Sequence, residues 1–297
     1  MLGPTATGKS ALALEVARRY PDVELVNLDS MQVYRGMDIG TAKPTAAERL
    51  EVPHHLLDLV DPAEEFSLAR FQAAAHSALA SIEDHGHRAL LVGGTGLYVR
   101  AVVDDLQLPG RFPDTRAALD AEPDTTSLHR RLAELDPVAA GRMEATNRRR
   151  VVRALEVTLG SGRPFSSFGP GLDAHPASPL AQVGLRLPLH VLDARIARRF
   201  GAMLDAGLLD EVRHLLRRPG GLSRTARQAL GYRELAAHLE GQCSLEEAGE
   251  EAVRRTRRFA RRQLRWFRRD PRITWIDAGE NPLAVALRLL GDCLQCG

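Results

Sequence analysis

Short apolar runs alternate with amphipathic segments over the first hundred residues. Residues 24–28 and 88–92 are apolar runs typical of buried strands, and residues 67–85 between them carry apolar side chains at helical spacing. Strand, loop, helix and strand in this order predict a parallel sheet with crossover helices. Functional residues gather at the carboxyl ends of such strands, where this sequence has Asp29 and Gly93-Gly94-Thr95.

The pattern changes after Leu108. Residues 109–113 are rich in turn formers, residues 114–159 have a helical pattern, and residues 160–179 form a loop dense in Gly, Pro and Ser. A strand pattern returns at 183–187, helices follow to about residue 267, and 273–276 is a final short strand. We therefore predict an α/β core from residues 1–110 and 183–297, interrupted by a mostly helical insertion domain at 111–182.

A phosphate-binding loop of the pattern G-x-x-x-x-G-K-[ST] stands at the start of the chain. Its glycines let successive N–H groups face a polyphosphate, Lys9 supplies a point charge, and the Ser10 hydroxyl is suited to ligate Mg²⁺. The apolar pattern of residues 11–17 predicts a helix whose N-terminus also favours an anion. The predicted anion-binding residues are Gly3, Pro4, Thr5, Ala6, Thr7, Gly8, Lys9 and Ser10.

The strand that normally feeds such a loop is almost absent from the sequence. Only Met1 and Leu2 precede Gly3, whereas about five residues are usual. Because a missing central strand destabilises a core, we expect this sequence to have lost residues at its start.

Composition adds further limits. The chain of 297 residues is 44% hydrophobic and 26% charged, as in soluble globular proteins. It has no apolar run of membrane-spanning length and no signal peptide, and three cysteines do not make a disulfide framework, so we expect a cytoplasmic protein. Cys293-x-x-Cys296 has no partner with metal-site spacing and is expected to be incidental.

Positive charge is concentrated near the C-terminus although the net charge is only +2. Residues 254–272 hold ten arginines and one acid, Asp270. Such a run is often only a solvated helix face, but so many arginines with so few acids favour contacts with nucleic-acid phosphates. Arginine also suits bidentate phosphate contacts and stacking on bases. The predicted apolar face of this helix consists of Val253, Ala260, Leu264 and Phe267.

Several further motifs give the phosphate loop a more specific meaning. They are DSMQVY (29–34), GMDIGTAKP (36–44), PHHLLD (53–58), GGTGLY (93–98), RVVRALEV (150–157), QALGYR (228–233) and RQ-x-x-W (262–266). With the phosphate loop they resemble the bacterial-type tRNA dimethylallyltransferases, also called tRNA isopentenyltransferases, over essentially the whole chain. The resemblance implies an α/β fold of the P-loop NTPase type, a parallel sheet flanked by helices with a helical insertion.

The resemblance also implies an activity. The family transfers the dimethylallyl group of dimethylallyl diphosphate to N6 of adenosine 37 in tRNA, with Mg²⁺, and the implied enzyme is a cytoplasmic monomer with no membrane partner. An exocyclic aromatic amine is a weak nucleophile, so it needs a general base, and Asp29 matches the family's catalytic aspartate. Thr95 matches the position that hydrogen-bonds the target base, and Arg199 matches an arginine near the diphosphate. The diphosphate would be the leaving group.

Plainer roles remain open for these three residues. Asp29 has an alternative as an Mg²⁺-ordering or helix-capping aspartate, Thr95 as a helix cap, and Arg199 as a solvated helix charge. An adenine inside a stacked loop cannot reach a buried general base, so we expect the target adenosine to be flipped out of its stack. The implied tRNA contacts are Asp29, Ser30, Met31, Gln32, Thr95, Arg116, Arg150, Arg153, Gln228, Gly231, Tyr232, Arg233, Arg261, Arg262, Gln263, Trp266 and Arg268.

The sequence departs from the family pattern in two places. Lys-Arg-Gln-x-Thr-Trp is usual in the last motif, and here Arg261 replaces the lysine and Arg265 the threonine. Arg261 keeps the charge, whereas Arg265 adds bulk and charge beside Trp266. Asn147-Arg148-Arg149 replaces the commoner Asp-Pro-Gln, which weakens the case for Arg149 as a tRNA contact.

Two other functions fit parts of the sequence. A phosphate loop with basic residues also suits a small-molecule or nucleoside kinase that uses MgATP. A non-catalytic RNA-binding module with a relic nucleotide site is the third alternative, and it predicts that Asp29 is dispensable.

Overall fold

A computed structural model describes residues 1–279 and 282–295. Its strands are β1 (Val23–Leu28), β2 (His54–His55), β3 (Arg88–Gly93), β4 (Gln182–Arg186) and β5 (Ile273–Asp277). Its helices are α1 (Lys9–Ala17), α2 (Ala46–Glu51), α3 (Leu68–Asp84), α4 (Gly96–Val103), α5 (Pro113–Asp120), α6 (Thr125–Leu135), α7 (Pro137–Gly141), α8 (Arg148–Ser161), α9 (Leu189–Asp205), α10 (Leu208–Arg217), α11 (Tyr232–Leu239), α12 (Leu245–Phe267) and α13 (Pro282–Gln295). The four predicted strands are confirmed to within one or two residues.

The chain divides into two compact units. The first consists of Met1–Asp104 together with the described residues from Ala177 onward, and the second is Asp105–Pro176. The second unit lies a few residues earlier than the helical segment predicted at 111–182, and its regular structure is helical among the described residues.

The first unit is built on parallel strands. β1 lies between β2 and β3, and β4 pairs with β5, all in parallel register. Leu2 bridges the two groups, because it pairs with Gly93 at the end of β3 and with Gly184 in β4. Its N–H donates to Val183 O at 2.7 Å. Met1 and Leu2 thus occupy the central position directly ahead of the phosphate loop.

Helices cover both faces of these strands. Side chains of a strand alternate between faces, so Val23 and Leu25 pack toward α1 and α13, whereas Val26 and Leu28 pack toward α3, α4, α10 and α11. The predicted α/β class, a parallel sheet flanked by helices, is confirmed. All strands end at the same edge, so Asp29, Thr95 and the phosphate loop come together there.

The long helix α12 forms for local reasons. Ser244 and Glu247 make a capping box at its N-terminus. Ala260, Leu264 and Phe267 on its predicted apolar face are buried, and Val253 packs partly buried beside Ala260. The helix therefore lies on the core along one stripe and presents arginines on the other side.

The second unit has its own core. Leu119 of α5, Leu128 and Leu132 of α6, and Val151 and Leu155 of α8 are buried against one another. Asp136 caps α7 and also accepts hydrogen bonds from the N–H and hydroxyl of Ser166. This unit is thus a small helical domain with a packed interior.

Two remaining sequence predictions concern the cysteines and the membrane. Cys296 lies outside the described residues, and the side chain of Cys293 is not described. Within residues 1–279 and 282–295, no helix is both long enough and apolar enough to cross a bilayer.

Candidate active site and RNA-binding surface

The phosphate loop has the geometry that its sequence predicts. Gly8 precedes α1 with φ of 93°, in the left-handed region that favours glycine. The buried Thr7 hydroxyl donates to Pro4 O at 2.9 Å, and Lys9 Nζ lies 3.5 Å from the same oxygen. The loop is thus folded around the Pro4 carbonyl, and the ammonium of Lys9 lies near the same oxygen.

Lys9 has an unusual electrostatic environment. The pKa of Lys9 is lowered from its ordinary 10.5 to about 8, mainly by burial; the negative charge of Asp29 opposes this shift and the positive charge of Arg199 adds to it. Burial also lowers the pKa of Arg199, again opposed by Asp29. Arg199 Nη1 lies 3.5 Å from the Thr5 hydroxyl. Lys9, Arg199 and Asp29 therefore share one site, and a bound polyanion would stabilise its two cations.

Ser10 is available as a ligand. It is exposed in the first turn of α1, and its hydroxyl makes no hydrogen bond to any described residue. No group of three His, Cys, Asp or Glu side chains in the part of the chain that the structure describes is placed to hold a metal ion. A cation here would therefore be held by Ser10 and by phosphate oxygens, which is typical of Mg²⁺ in phosphate loops.

Asp29 follows β1 directly and is half-buried. Its Oδ1 accepts a hydrogen bond from Met31 N–H at 2.8 Å, which closes a turn within the DSMQ segment. Its other oxygen has no hydrogen-bond partner among the described residues. The carboxylate is oriented by its own loop and keeps one oxygen for a substrate.

Thr95 stands at the N-cap position of α4, where its carbonyl accepts a hydrogen bond from Val99 N–H at 3.0 Å. Its side chain makes no capping hydrogen bond. Its hydroxyl lies 3.5 Å from the hydroxyl of Ser30, which is the residue after Asp29. Thr95 therefore caps α4 through its backbone and not through its side chain, and its hydroxyl lies beside the Asp29 segment.

The GGTG loop packs tightly on α12. A Cβ on Gly94 would lie 2.6 Å from Gln263 Nε2 and 3.4 Å from Lys9 Nζ, and a Cβ on Gly96 would overlap the Trp266 ring. Gln263 is buried, accepts a hydrogen bond from Thr5 N–H at 2.9 Å and donates one to Gly94 O at 2.7 Å. Gln263 and Trp266, both predicted as tRNA contacts, thus support the loops of the site.

The loop after the DSMQ segment is held by a residue that the sequence did not single out. Glu211 of α10 accepts hydrogen bonds from the N–H groups of Asp38, Ile39 and Gly40. It also accepts one from the hydroxyl of Tyr232, which is fully buried. Tyr232, predicted as a tRNA contact, therefore has its side chain in the core.

The other predicted contacts of the first unit differ in exposure. Gln32 is buried and donates to Thr41 O at 2.9 Å, so it holds the same loop from within. Gln228 and Arg233 are exposed around the start of α11. Gly231 begins that helix, and its N–H donates to Glu234.

Nine of the ten arginines of residues 254–272 fall into two groups, and the tenth, Arg257, donates a hydrogen bond to Asp193 O at 3.4 Å. Five of them form ion pairs, namely Arg254, Arg255, Arg258, Arg261 and Arg272. The expectation that these arginines have almost no acids to pair with is therefore wrong. Their partners Glu234, Asp193 and Asp104 come from other parts of the chain. Four exposed arginines have no carboxylate partner among the described residues, and we call them the α12 arginine cluster: Arg262, Arg265, Arg268 and Arg269.

The predicted contacts in the second unit also divide. Arg116 and Arg153 both pair with the buried Glu156, at 3.8 Å and 2.8 Å. Arg153 also donates to Pro109 O. Arg150 is exposed at the start of α8 and has no carboxylate partner within the described range. Arg150 is therefore the member of the three that is free for phosphate.

Comparison with known proteins extends this description. The sequence model of the IPP transferase family matches residues 32–270. The tRNA dimethylallyltransferase of Kineococcus radiotolerans is 49% identical over 98% of this chain and 94% of its own length. That of Acidothermus cellulolyticus is 50% identical over 96% and 90%.

Solved structures agree with the sequence comparison. The tRNA isopentenylpyrophosphate transferase of Bacillus halodurans superposes with a TM-score of 0.72 and 39% identity, covering 99% of this chain and 95% of that one. A eukaryotic dimethylallyltransferase acting on tRNA superposes with a TM-score of 0.82 and 25% identity, covering 99% and 78%.

Proposed function

The chain belongs to the IPP transferase family, and from this we propose that it transfers the dimethylallyl group of dimethylallyl diphosphate to N6 of adenosine 37 in tRNA. It is an enzyme of the prenyltransferase class whose relatives, about half identical over nearly the full chain, are tRNA dimethylallyltransferases. The proposal extends that class to a donor, an acceptor atom and named residues.

One observation carries the proposal. Asp29 and Thr95 follow the adjoining strands β1 and β3, where the Thr95 hydroxyl lies 3.5 Å from that of Ser30, and Lys9 of the phosphate loop lies beside Gly94, the residue before Thr95. A carboxylate that can act as general base, a hydroxyl that can hydrogen-bond a nucleobase and an anion-binding loop thus meet in one place. Prenyl transfer between a diphosphate and an amine needs all three.

The donor would be bound by its diphosphate. The N–H groups at the start of α1, with Lys9 and Arg199, would stabilise negative charge that grows on the departing oxygens. Because burial disfavours the charged forms of both cations, a dianionic group bound beside them would offset that cost.

The acceptor reaction balances with the residues present. The N6 nitrogen forms a bond to the allylic carbon, and the carbon–oxygen bond breaks with its electron pair leaving on the diphosphate. The proton of N6 passes to Asp29, which acts as general base. The Thr95 hydroxyl would hold the adenine ring by a hydrogen bond, so that N6 faces Asp29.

Mg²⁺ fits this arrangement. Ser10 has an exposed hydroxyl with no hydrogen bond to any described residue, and it stands where the diphosphate would lie. The ion would supply charge neutralisation at the leaving group. The protein's own contribution is to hold the diphosphate with the loop, Lys9 and Arg199.

RNA would approach through exposed arginines. Arg262 and Arg265 of the α12 arginine cluster lie on the same helix as Gln263 and Trp266, which pack on the GGTG loop, and Arg268 and Arg269 directly follow that helix. An adenine stacked in an anticodon loop cannot reach Asp29, so the nucleotide would be flipped out. We include the exposed Arg150 of the second unit and Gln228 and Arg233 at α11 among the proposed RNA contacts.

The experiment follows label from donor to RNA. The protein is incubated with ¹⁴C-labelled dimethylallyl diphosphate, Mg²⁺ and an anticodon stem-loop with A37, and a stem-loop with G37 is the matched control. We expect label in the A37 RNA alone, and roughly 10²–10⁴-fold slower transfer with Asp29→Ala. Unlabelled RNA, with ATP consumed in a parallel reaction, would instead indicate the kinase alternative.

A further inference from the structure

Gln263 lies between two loops of the proposed active site. Its amide oxygen accepts a hydrogen bond from Thr5 N–H at 2.9 Å, and its amide nitrogen donates one to Gly94 O at 2.7 Å. Thr5 belongs to the phosphate loop, and Gly94 directly precedes Thr95. One side chain therefore joins the loop that would hold the donor to the loop that would hold the acceptor.

Among the described residues, the side-chain amide of Gln263 makes hydrogen bonds only to these two loops. The residue is 6% exposed, and a buried amide group without a hydrogen bond is costly. The amide orientation is set by its partners, since an N–H can only donate and a carbonyl can only accept. Gly94 allows this close approach, because a Cβ there would lie 2.6 Å from Gln263 Nε2.

Resting on the proposed function, we propose that Gln263 is a positioning residue for prenyl transfer. Its amide sets the separation between the phosphate loop and Thr95, so that the allylic carbon and N6 meet at reacting distance. It acts through Thr5 and Gly94 and makes no contact with RNA, in contrast to the role implied by its motif. Misplacement of reacting groups by about 1 Å costs on the order of 10²-fold in rate.

The first test is Gln263→Met, which keeps the approximate volume and removes both hydrogen bonds. We expect kcat with saturating substrates to fall about 10²-fold. The dissociation constants of inorganic diphosphate and of the stem-loop should change by less than about threefold, because each loop still binds its own ligand. Gln182→Met is the matched control: Gln182 is also buried, its Nε2 has no hydrogen-bond partner in the described part of the chain, and it lies in neither loop.

Two results with Gln263→Met would overturn the proposal. An unchanged kcat would mean that the two hydrogen bonds do not set the reacting geometry. Weaker stem-loop binding with kcat retained at saturation would mean that Gln263 contacts RNA directly.

A second variant tests the Gly94 contact separately and does not depend on the stability of the first. Gln263→Glu still accepts from Thr5 N–H, but its second oxygen faces Gly94 O and can donate only when the carboxyl is protonated. We expect the ratio of variant to wild-type kcat to rise as the pH falls. A ratio that is independent of pH would overturn the proposal.

The proposed function is tested apart from this role. Wild-type transfer is measured first, and its absence would remove the activity on which the inference rests. If the wild-type protein transfers label and both variants keep wild-type kcat, the positioning role alone fails.

Discussion

The hydroxyl of Thr95 lies 3.5 Å from the hydroxyl of Ser30 and makes no hydrogen bond to the helix that it precedes. This relationship joins the ends of β1 and β3 at the point where Asp29 follows β1. The side chain of a threonine at a helix start usually caps the helix, so a hydroxyl that is directed to Ser30 instead is the more informative observation. The fold thus places a hydroxyl that can hydrogen-bond a nucleobase beside Asp29.

Thr95→Val removes this hydroxyl with little change in shape. We expect kcat/KM for the stem-loop to fall about tenfold, since a hydrogen bond contributes about 0.5–1.5 kcal/mol. Diphosphate affinity and thermal stability should stay at wild-type values. Thr274→Val, at an exposed position of β5, is the control with the same chemical change. Steady-state assays at varied stem-loop concentration measure kcat/KM for both variants. Equal effects of the two substitutions would exclude the role of Thr95.

The pKa of Lys9 predicts how donor affinity depends on pH. Since burial lowers this pKa to about 8, the protonated form that attracts the diphosphate is lost above that pH. We expect affinity for dimethylallyl diphosphate to be level just below pH 8 and to weaken about tenfold per pH unit above it. Titrations between about pH 7 and 9.5 measure this. Lys9→Met should bind weakly without the break near pH 8, and an unchanged break would assign it to another group.

Lys9 should also reduce the stability of the free protein. Its folded pKa lies below its unfolded value of 10.5, so the protonated form is disfavoured by folding at pH 7, and the penalty shrinks between pH 8 and 10.5. Lys9→Met should therefore raise the free energy of unfolding at pH 7 by about 1–2 kcal/mol, less than the full shift implies because Lys9 is only partly buried. Urea unfolding without ligand measures this, and a loss of stability would contradict the assigned burial penalty.

The α12 arginine cluster predicts a difference between neighbouring charges. Arg265→Gln should weaken stem-loop binding and reduce the slope of log K against log salt by about 0.7–0.9, the contribution of one phosphate contact. Arg254→Gln, on the same helix, is the control because Arg254 is exposed but paired with Glu251. Filter binding at several salt concentrations measures both slopes. Equal slopes for the two variants would show that ion pairing does not determine which arginines meet RNA.

Local patterns of the sequence predicted much of the fold. The apolar runs at 24–28 and 88–92 are β1 and β3, the phosphate loop has its expected geometry, and the apolar face of α12 packs on the core. Each of these depends on residues close together in the chain. Strand ends and helix spacing therefore also placed Asp29 and Thr95 at one edge.

The remaining features depend on contacts between distant residues. Gln263 lies 258 positions from Thr5, and Glu211 lies 171 positions from Gly40. No local sequence pattern predicts that either side chain forms hydrogen bonds to a distant loop. The pairing of Arg255 with Glu234 and of Arg261 with Asp193 likewise follows from helix packing. The prediction from sequence therefore overestimated the number of arginines without a carboxylate partner.

Intact-mass analysis of the RNA gives the most direct test of prenyl transfer. One reaction contains the protein, Mg²⁺, the A37 stem-loop and both donors, dimethylallyl diphosphate and ATP. We predict that the RNA gains one dimethylallyl group, located at A37 by fragmentation, with one diphosphate released per group and ATP left intact. An RNA of unchanged mass, or one that gains a phosphate from ATP, would contradict the account.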